Sequence, residues 1–282
     1  MRGGILQQQR VHSTSLWSLC TSTYKNKQII FEMTKRDIVG RYKGSVMGLL
    51  WSFINPIFML AVYTVVFSEV FNARWGTATG DESKAQFAII LFVGLIVHGI
   101  FSEVLTKSPM LILNNVNYVK KVVFPLETLP IITLLSVGFQ TCINIVVLVA
   151  AFVIFNGYVH LTALILPVVL LPIFILTLAL SYIVSSLGVF IRDLGQFITL
   201  LVTVILFLSP VFYPLSAVPD KFKPIILLNP VTFIIEQARN VLIWGKLPDF
   251  SGLMVYSFVS LLILWLGFFW FQKTRKGFAD VI

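Results

Sequence analysis

The sequence predicts an all-α integral membrane protein: six transmembrane helices, an N-terminal amphipathic interface helix, and a re-entrant helical hairpin between helices five and six. Three observations predict it. Of the 282 residues 57% are hydrophobic and only 12% charged, whereas a water-soluble domain carries roughly a quarter of its residues as Asp, Glu, Lys or Arg. Long runs carry no charge at all: 45–68, 85–102, 128–191, 194–219 and 250–272. A helix rising about 1.5 Å per residue needs about 20 apolar residues to cross roughly 30 Å of hydrocarbon, and each run supplies that or nearly so. Third, the 21 cationic residues are distributed unevenly between the loops.

The elements follow in order. Residues 1 to about 20 read as poorly structured. From Lys25 to Val39, Ile29, Ile30, Met33 and Ile38 alternate with Lys27, Glu32, Lys35, Arg36 and Asp37, which suits a helix lying in the membrane interface. The cytoplasmic N-terminal segment is thus 1–44 and the membrane domain 45–282. No cleavable signal peptide is expected, because the first 44 residues are polar and basic and the run after them is long enough to remain as a span.

The first span, about 45–71, contains Asn55-Pro56, which allows a kink. The second is expected at about 85–102, after an outer loop with Asp81, Glu82 and Lys84. The uncharged run 128–191 is too long for one crossing, and its polar break at Asn156, Gly157, Tyr158 and His160 divides it into spans of about 130–155 and 161–189. Between spans two and three, Pro109, Pro125 and the polar run from Asn114 to Lys121 predict a short helix bounded by turns. The fifth span, about 195–213, ends where Pro210 and Pro214 break the helix. The uncharged stretch from Pro224 to Ile235 is too short to cross and is interrupted by Pro230, so it reads as the re-entrant or interfacial hairpin. The sixth span is about 252–271.

With the N-terminus in the cytoplasm, 15 of the Lys and Arg residues fall on that side and 6 on the other. The positive-inside rule then places both termini in the cytoplasm. The net charge of +9 is accounted for by topology and anionic lipid headgroups, so no nucleic-acid partner is expected. Cys20 and Cys142 offer neither a disulfide framework nor metal-ligand spacing.

The chemistry of the spans excludes several classes. His98 is the one ionisable residue deep inside an uncharged run, and a lone histidine there fits a helix contact or cavity lining better than a ligand. All 12 acidic residues lie in loops or at span ends, with Glu69, Glu103 and Glu127 at the borders. This disfavours ion-coupled transport, which places carboxylates at membrane depth. Nothing matches the phosphate loop G-x-x-x-x-G-K-[ST]. The chain reads as no enzyme, without a cofactor of its own, so energy for any transport must come from another polypeptide.

Two stretches carry a resemblance. Arg36-Asp37-Ile38-Val39-Gly40-Arg41-Tyr42-Lys43-Gly44-Ser45-Val46-Met47-Gly48-Leu49-Leu50-Trp51 with Asn55-Pro56, and Leu228-Asn229-Pro230-Val231-Thr232 with Glu236, Arg239 and Gly245, resemble segments of the permease subunits of ABC-2 type polysaccharide exporters, the family that moves O-antigen, capsule or teichoic acid. The resemblance covers nearly the whole chain from about residue 30. It implies a homodimer joined to two cytoplasmic ABC ATPase subunits that bind the ATP and Mg, set in the bacterial inner membrane and exporting lipid-linked polysaccharide, O-antigen on undecaprenyl diphosphate being favoured. The segment with Asn114, Asn115, Asn117, Tyr118, Lys120 and Lys121 would dock on the ATPase, and the hairpin with Asn229, Pro230, Glu236 and Arg239 would form a periplasmic gate.

The residues themselves add candidates. Arg36, Arg41 and Lys43 cluster where a diphosphate headgroup would arrive, although each is equally explained as topogenic charge. Trp51, Tyr63, Phe67, Phe207, Phe212 and Tyr213 offer flat faces to sugar rings along a channel, although most aromatics in such proteins face lipid or mark the interface. A permease for a small lipophilic compound, or a membrane glycosyltransferase or polymerase acting on the same lipid carrier, remain the alternatives.

Overall fold

The computed structural model of the chain describes residues 14–70, 75, 84–120 and 124–282. The regular structure of these residues is all helix, with no strand among them, as hydrocarbon demands of a chain that must satisfy its backbone internally. Asp81, Glu82 and Lys121 lie outside the described residues.

The N-terminal region corrects the first expectation. Residues Leu16–Lys25 form a helix, α1, capped by Ser15, whose hydroxyl accepts from the Trp17 amide at 3.1 Å. Asn26 separates it from the expected interface helix, α2 (Lys27–Gly40). Two glycines then turn the chain towards the membrane: Gly44 at φ 87° and Gly48 at φ 51° occupy the left-handed region, which side chains with a Cβ avoid.

Among the described residues five helical stretches are long and apolar enough to cross a membrane: Gly48–Phe67, Gln86–Met110, Thr128–Asn156, Leu161–Phe190 and Phe250–Val281. Their principal helices are α3 (Trp51–Thr64), α4 (Lys84–Lys107), α6 (Thr128–Asn156), α7 (Leu166–Phe190) and α11 (Phe250–Thr274). α3 encloses Pro56 and passes into a π-helical turn, Val65–Val70. α4 runs past its expected end at 102 because Glu103 and Lys107, one turn apart, pair at 2.7 Å. α6 ends at Gly157 in the left-handed conformation (φ 77°), the turn read from the polar break.

The expected fifth span at 195–213 is helical only over α8 (Leu194–Phe207, 14 residues), shorter than a full crossing. Pro210 has no amide hydrogen and disfavours helical backbone in the residue before it. The chain accordingly turns after Leu208, with the Ser209 hydroxyl bonded to the Ile205 carbonyl at 2.6 Å. Beyond lie α9 (Lys223–Leu228) and α10 (Pro230–Leu242), joined at Asn229. The polar segment between α4 and α6 holds two short 3-10 turns and α5 (Val116–Lys120), the expected short helix, and the described chain closes in α12 (Phe278–Val281).

α4 is the central pillar, buried over 78% of its apolar window against 17% for the first span. It packs on α3, α6, α7, α8 and α10. His98 serves as a helix contact, its Nε2 lying 3.3 Å from the Val202 carbonyl of α8. α7 and α11 approach so closely that a Cβ on Gly267 would lie 2.5 Å from the Ala179 carbonyl oxygen. Such backbone proximity holds helices together where lipid supplies no hydrophobic drive. A second cluster, around Leu19, Tyr182, Phe271 and Phe278, ties α1, α7, α11 and α12 together at the end of the bundle where the described termini lie.

Candidate functional site

At that terminal end a polar network surrounds Arg41. The turn after α2 delivers its guanidinium between three helices: Nη1 is 2.7 Å from Glu103 of α4, and Nη2 donates to Ser136 of α6 at 2.8 Å and lies 3.6 Å from Asp37. Ser136 donates in turn to Asp37. Arg41 is therefore spent on carboxylates of this chain, and Glu103, read as a span-end residue, holds both Arg41 and Lys107. Arg36 donates to the Tyr118 hydroxyl at 3.1 Å. Lys43 is exposed and forms no ion pair among the described residues.

Beneath Arg41 a cleft of about 370 Å³ opens between α3, α4 and α6. Ser136, Gln140 and Asn144 recur every four residues and so share one face of α6, and the last two enter the cleft with Asn55 and Tyr63 of α3. Pro56 cannot donate to the Ser52 carbonyl four residues before it, and Gln140 Nε2 supplies that bond at 3.1 Å. The same nitrogen donates to Asn144 Oδ1 at 3.1 Å. This stripe was missed from sequence because amides interrupt no charge-free run; its four-residue repeat was the available signal.

Of the aromatic candidates, Tyr63 lines the cleft and Phe67 stacks on Phe87 with ring centres 5.3 Å apart. Trp51 lies exposed at the start of α3. Phe207, Phe212 and Tyr213 form a separate group where α8 ends, with Tyr213 donating to the Phe207 carbonyl at 2.9 Å and Phe207 63% exposed. A larger cavity of about 870 Å³ between α7, α11 and the α9–α10 hairpin has an apolar lining apart from Asn229, Tyr256, Ser260 and Gly252.

In the segment before α6, Asn114, Asn117 and Lys120 are exposed while Asn115 and Tyr118 turn inward. The Asn115 amide donates to the Leu111 carbonyl at 2.8 Å, and Tyr118 stacks on Phe124 at 4.5 Å. Three residues apart, the exposed side chains share one face. Glu127, read at the border of a span, is a buried junction. It receives Arg275 at 2.6 Å and Ser22 at 2.8 Å, while its carbonyl accepts from Tyr182 at 2.7 Å. Arg275 also donates to the Phe124 carbonyl at 3.1 Å. Among the described residues no group of three or more His, Cys, Asp or Glu is arranged to hold a metal.

At the opposite end, Arg239 of α10 is 1% exposed. Its Nη1 pairs with Glu236 at 2.8 Å, Nε and Nη2 donate to the carbonyls of Ile90 (3.3 Å) and Val211 (3.2 Å), and its guanidinium lies 4.3 Å from the Trp75 ring centre. Burial pushes its pKa down to about 10, with Glu236 acting in the other direction, so it remains cationic at neutral pH. Asn229 caps α10 through Val231 N at 3.0 Å and donates to Ser209 at 2.8 Å. Pro230 occupies the first turn of α10, where its missing amide hydrogen costs nothing. Gly245 stands at φ 62°, where a Cβ would lie 2.5 Å from His160 Nδ1. Trp75 is the anchor that the sequence did not reveal.

Residues 28–243 match the family described as ABC-2 type transporter. The chain is 27% identical over 266 residues to the O-antigen export system permease protein RfbA of Myxococcus xanthus, covering 94% of this chain and 99% of that one. A permease of the same name from Klebsiella pneumoniae is 27% identical over 90% of this chain and 95% of its own length. The polysialic acid transport protein KpsM of Escherichia coli is 21% identical, over 82% of this chain and 88% of its own. The turn carrying Gly44 and Gly48 and the Asn229–Arg239 clamp fall inside the matched span, with Gly245 of the second resembling segment two residues beyond it, and the chain belongs to the ABC-2 type transporter family.

Proposed function

We propose that this chain is the membrane permease of an ATP-driven exporter of lipid-linked polysaccharide in the bacterial inner membrane, O-antigen on undecaprenyl diphosphate being the favoured cargo. The observation that carries the reading is the end-to-end likeness to permeases named for O-antigen export. Two copies join two cytoplasmic ABC ATPase subunits, which bind the ATP and Mg. Six crossings arise when α8 and the turns to Tyr213 complete the fifth, with α9 and α10 forming the re-entrant hairpin and both termini in the cytoplasm; the membrane domain then spans 45–282.

The exposed face of Asn114, Asn117 and Lys120, together with Lys121, the next residue in sequence, docks on the ATPase. Force applied there reaches α2 through Tyr118–Arg36 and reaches α6, α7 and α11 through Glu127 and Arg275. Asn229, Pro230, Glu236 and Arg239 hold the periplasmic gate. Lys43, with no carboxylate on it, is the basic residue best suited to a diphosphate, while Arg36 and Arg41 brace the entry. Trp51, Tyr63, Phe67, Phe207, Phe212 and Tyr213 remain the proposed channel aromatics.

Deleting the gene and restoring it on a plasmid tests the reading, with surface polysaccharide as the readout and affinity purification to recover an ATPase bearing a phosphate loop. Loss on deletion, recovery on complementation and a co-purified ATPase are expected. Unchanged surface polysaccharide, or ATP-independent export by this chain alone, would overturn it.

A further inference from the structure

We infer that the cleft between α3, α4 and α6 binds an uncharged, hydroxyl-rich headgroup, a sugar ring carried on a membrane lipid, with Asn144, Asn55 and Tyr63 as contacts and Gln140 as a positioning residue. Its dependence on the export reading is limited to the source of the sugar.

Three features select that chemistry. The first is unpaired polarity in the wrong solvent. The amide of Asn55, Asn144 Nδ2 and the Tyr63 hydroxyl have no hydrogen-bond partner among the described residues, although they stand within helical stretches long and apolar enough to span a bilayer. Hydrocarbon offers such groups nothing, and an unmade hydrogen bond there is costly. Asn144 is two turns further along α6 than Ser136, about 12 Å at 1.5 Å per residue, so its donor lies well inside the bundle from the polar network around Arg41.

The second feature is preorganisation. Gln140 Nε2 spends its two hydrogens on the Ser52 carbonyl and on Asn144 Oδ1, both at 3.1 Å. An amide whose oxygen is engaged in this way presents its nitrogen elsewhere, and for Asn144 both N–H bonds remain available to a ligand. Asn55, exposed at the mouth, supplies a donor and an acceptor together, as a vicinal diol does.

The third is charge. The cations at the mouth, Arg41 and Lys107, face the carboxylates Asp37 and Glu103. Arg41 is the one charged residue in the lining and is already held by Glu103 and Asp37, whereas the neutral amides and phenol that make up the rest of the polar lining suit hydroxyls. Phe92, Met59 and Pro56 add apolar walls for the C–H faces of a ring. About 370 Å³ falls within the range of roughly 300–1,000 Å³ usual for ligand clefts.

Two lipids carry vicinal hydroxyls: a sugar-linked carrier and the bilayer's own phosphatidylglycerol. The test takes the full chain with its co-purified ATPase in phosphatidylethanolamine nanodiscs and measures binding by native mass spectrometry. Three probes are titrated: polyprenyl diphosphate bearing one N-acetylhexosamine, the same carrier without sugar, and phosphatidylglycerol. The sugar-bearing carrier should bind at least tenfold tighter than the bare one. Asn144→Leu and Asn55→Leu should each weaken it about fivefold, the equivalent of one hydrogen bond, while leaving the bare carrier unaffected. Leucine suits a transmembrane helix, and Asn55 is exposed, so the second variant remains informative if the first assembles poorly. Equal binding of the two carriers, or preferential binding of phosphatidylglycerol lost in the same variants, would overturn the sugar assignment. Surface polysaccharide separates this from the export reading: if deletion abolishes it and both leucine variants restore it fully, the cleft proposal falls and export stands.

Discussion

Replacing Arg239 with Met removes a guanidinium that joins α10 to α4, to the turn after α8 and to Trp75. Two charged hydrogen bonds to the Ile90 and Val211 carbonyls, at 3.3 and 3.2 Å, are long, so the lower end of the range applies and they contribute about 3 kcal/mol together. The ion pair with Glu236, whose side chain is 34% exposed, adds less than about 1 kcal/mol. Contact with the Trp75 ring at 4.3 Å adds about 1 kcal/mol. Met restores part of the apolar contact and escapes the desolvation cost of a buried cation, so a net loss of about 3 kcal/mol is expected, at the low end for breaking a buried pair. The loss should be local. Hydrogen exchange of the α10 amides in nanodiscs should accelerate about 100-fold, while those of α7 and α11 stay protected. Arg239→Lys, which keeps the charge without the planar fork, should fall between the two. Protection of α10 in Arg239→Met within about threefold of the parent would refute the clamp, as would uniform loss of protection across all helices.

Four further outcomes follow from single contacts. Gly188→Ala places a Cβ 2.1 Å from the Pro109 carbonyl oxygen, a backbone clash that should cost about 3 kcal/mol and lower the melting temperature in detergent, whereas Gly138→Ala, with its nearest neighbour at 3.6 Å, should be neutral. Asn229→Ala loses the α10 cap and the bonds to Ser209 and Ile205, about 2 kcal/mol, read as faster exchange at the start of α10. Glu127→Gln leaves Arg275 without its carboxylate and should make α12 accessible to protease while reducing the permease's stimulation of its proposed ATPase. Asp249 caps α11 by accepting from Gly252 N and the Ser251 hydroxyl, which hold its pKa below 3.8. Its stabilisation is therefore present above that value and lost as pH falls through the lower folded one; Asp249→Asn should abolish the acid-induced loosening at the start of α11 seen by exchange.

Most of the fold was legible because the bilayer writes itself into sequence as absence of charge. The runs at 85–102, 128–191 and 250–272 became helices, and Gly157 divided the longest where its polar neighbours indicated. α1 was not legible: its order depends on Leu19 packing beneath α11 and on Ser22 reaching Glu127, 105 residues away. The end of α8 was misplaced by six residues because Pro210 affects the backbone before it as well as after. At the sites, residue types were legible but pairings were not. Arg41 reads as a free cation until Glu103 and Ser136 are brought to it from two other helices, and Arg239 reads only as a charge in the hairpin until Ile90, Val211 and Trp75 surround it.

The criterion for an incomplete surface reverses between water and lipid. In water an exposed apolar patch signals a missing partner; in hydrocarbon the exposed flank of α3, with Ile57, Phe58 and Met59, is already solvated, and a second copy gains little by covering it beyond close packing. Exposed amides are the sign that something is missing there. α3 carries both kinds of surface, an apolar flank and, beside it, Asn55 facing Gln140 and Asn144 across the cleft. The flank is compatible with lipid or with the second protomer of the proposed dimer. Only the amide-lined side carries hydrogen-bonding groups that neither an acyl chain nor a leucine can satisfy.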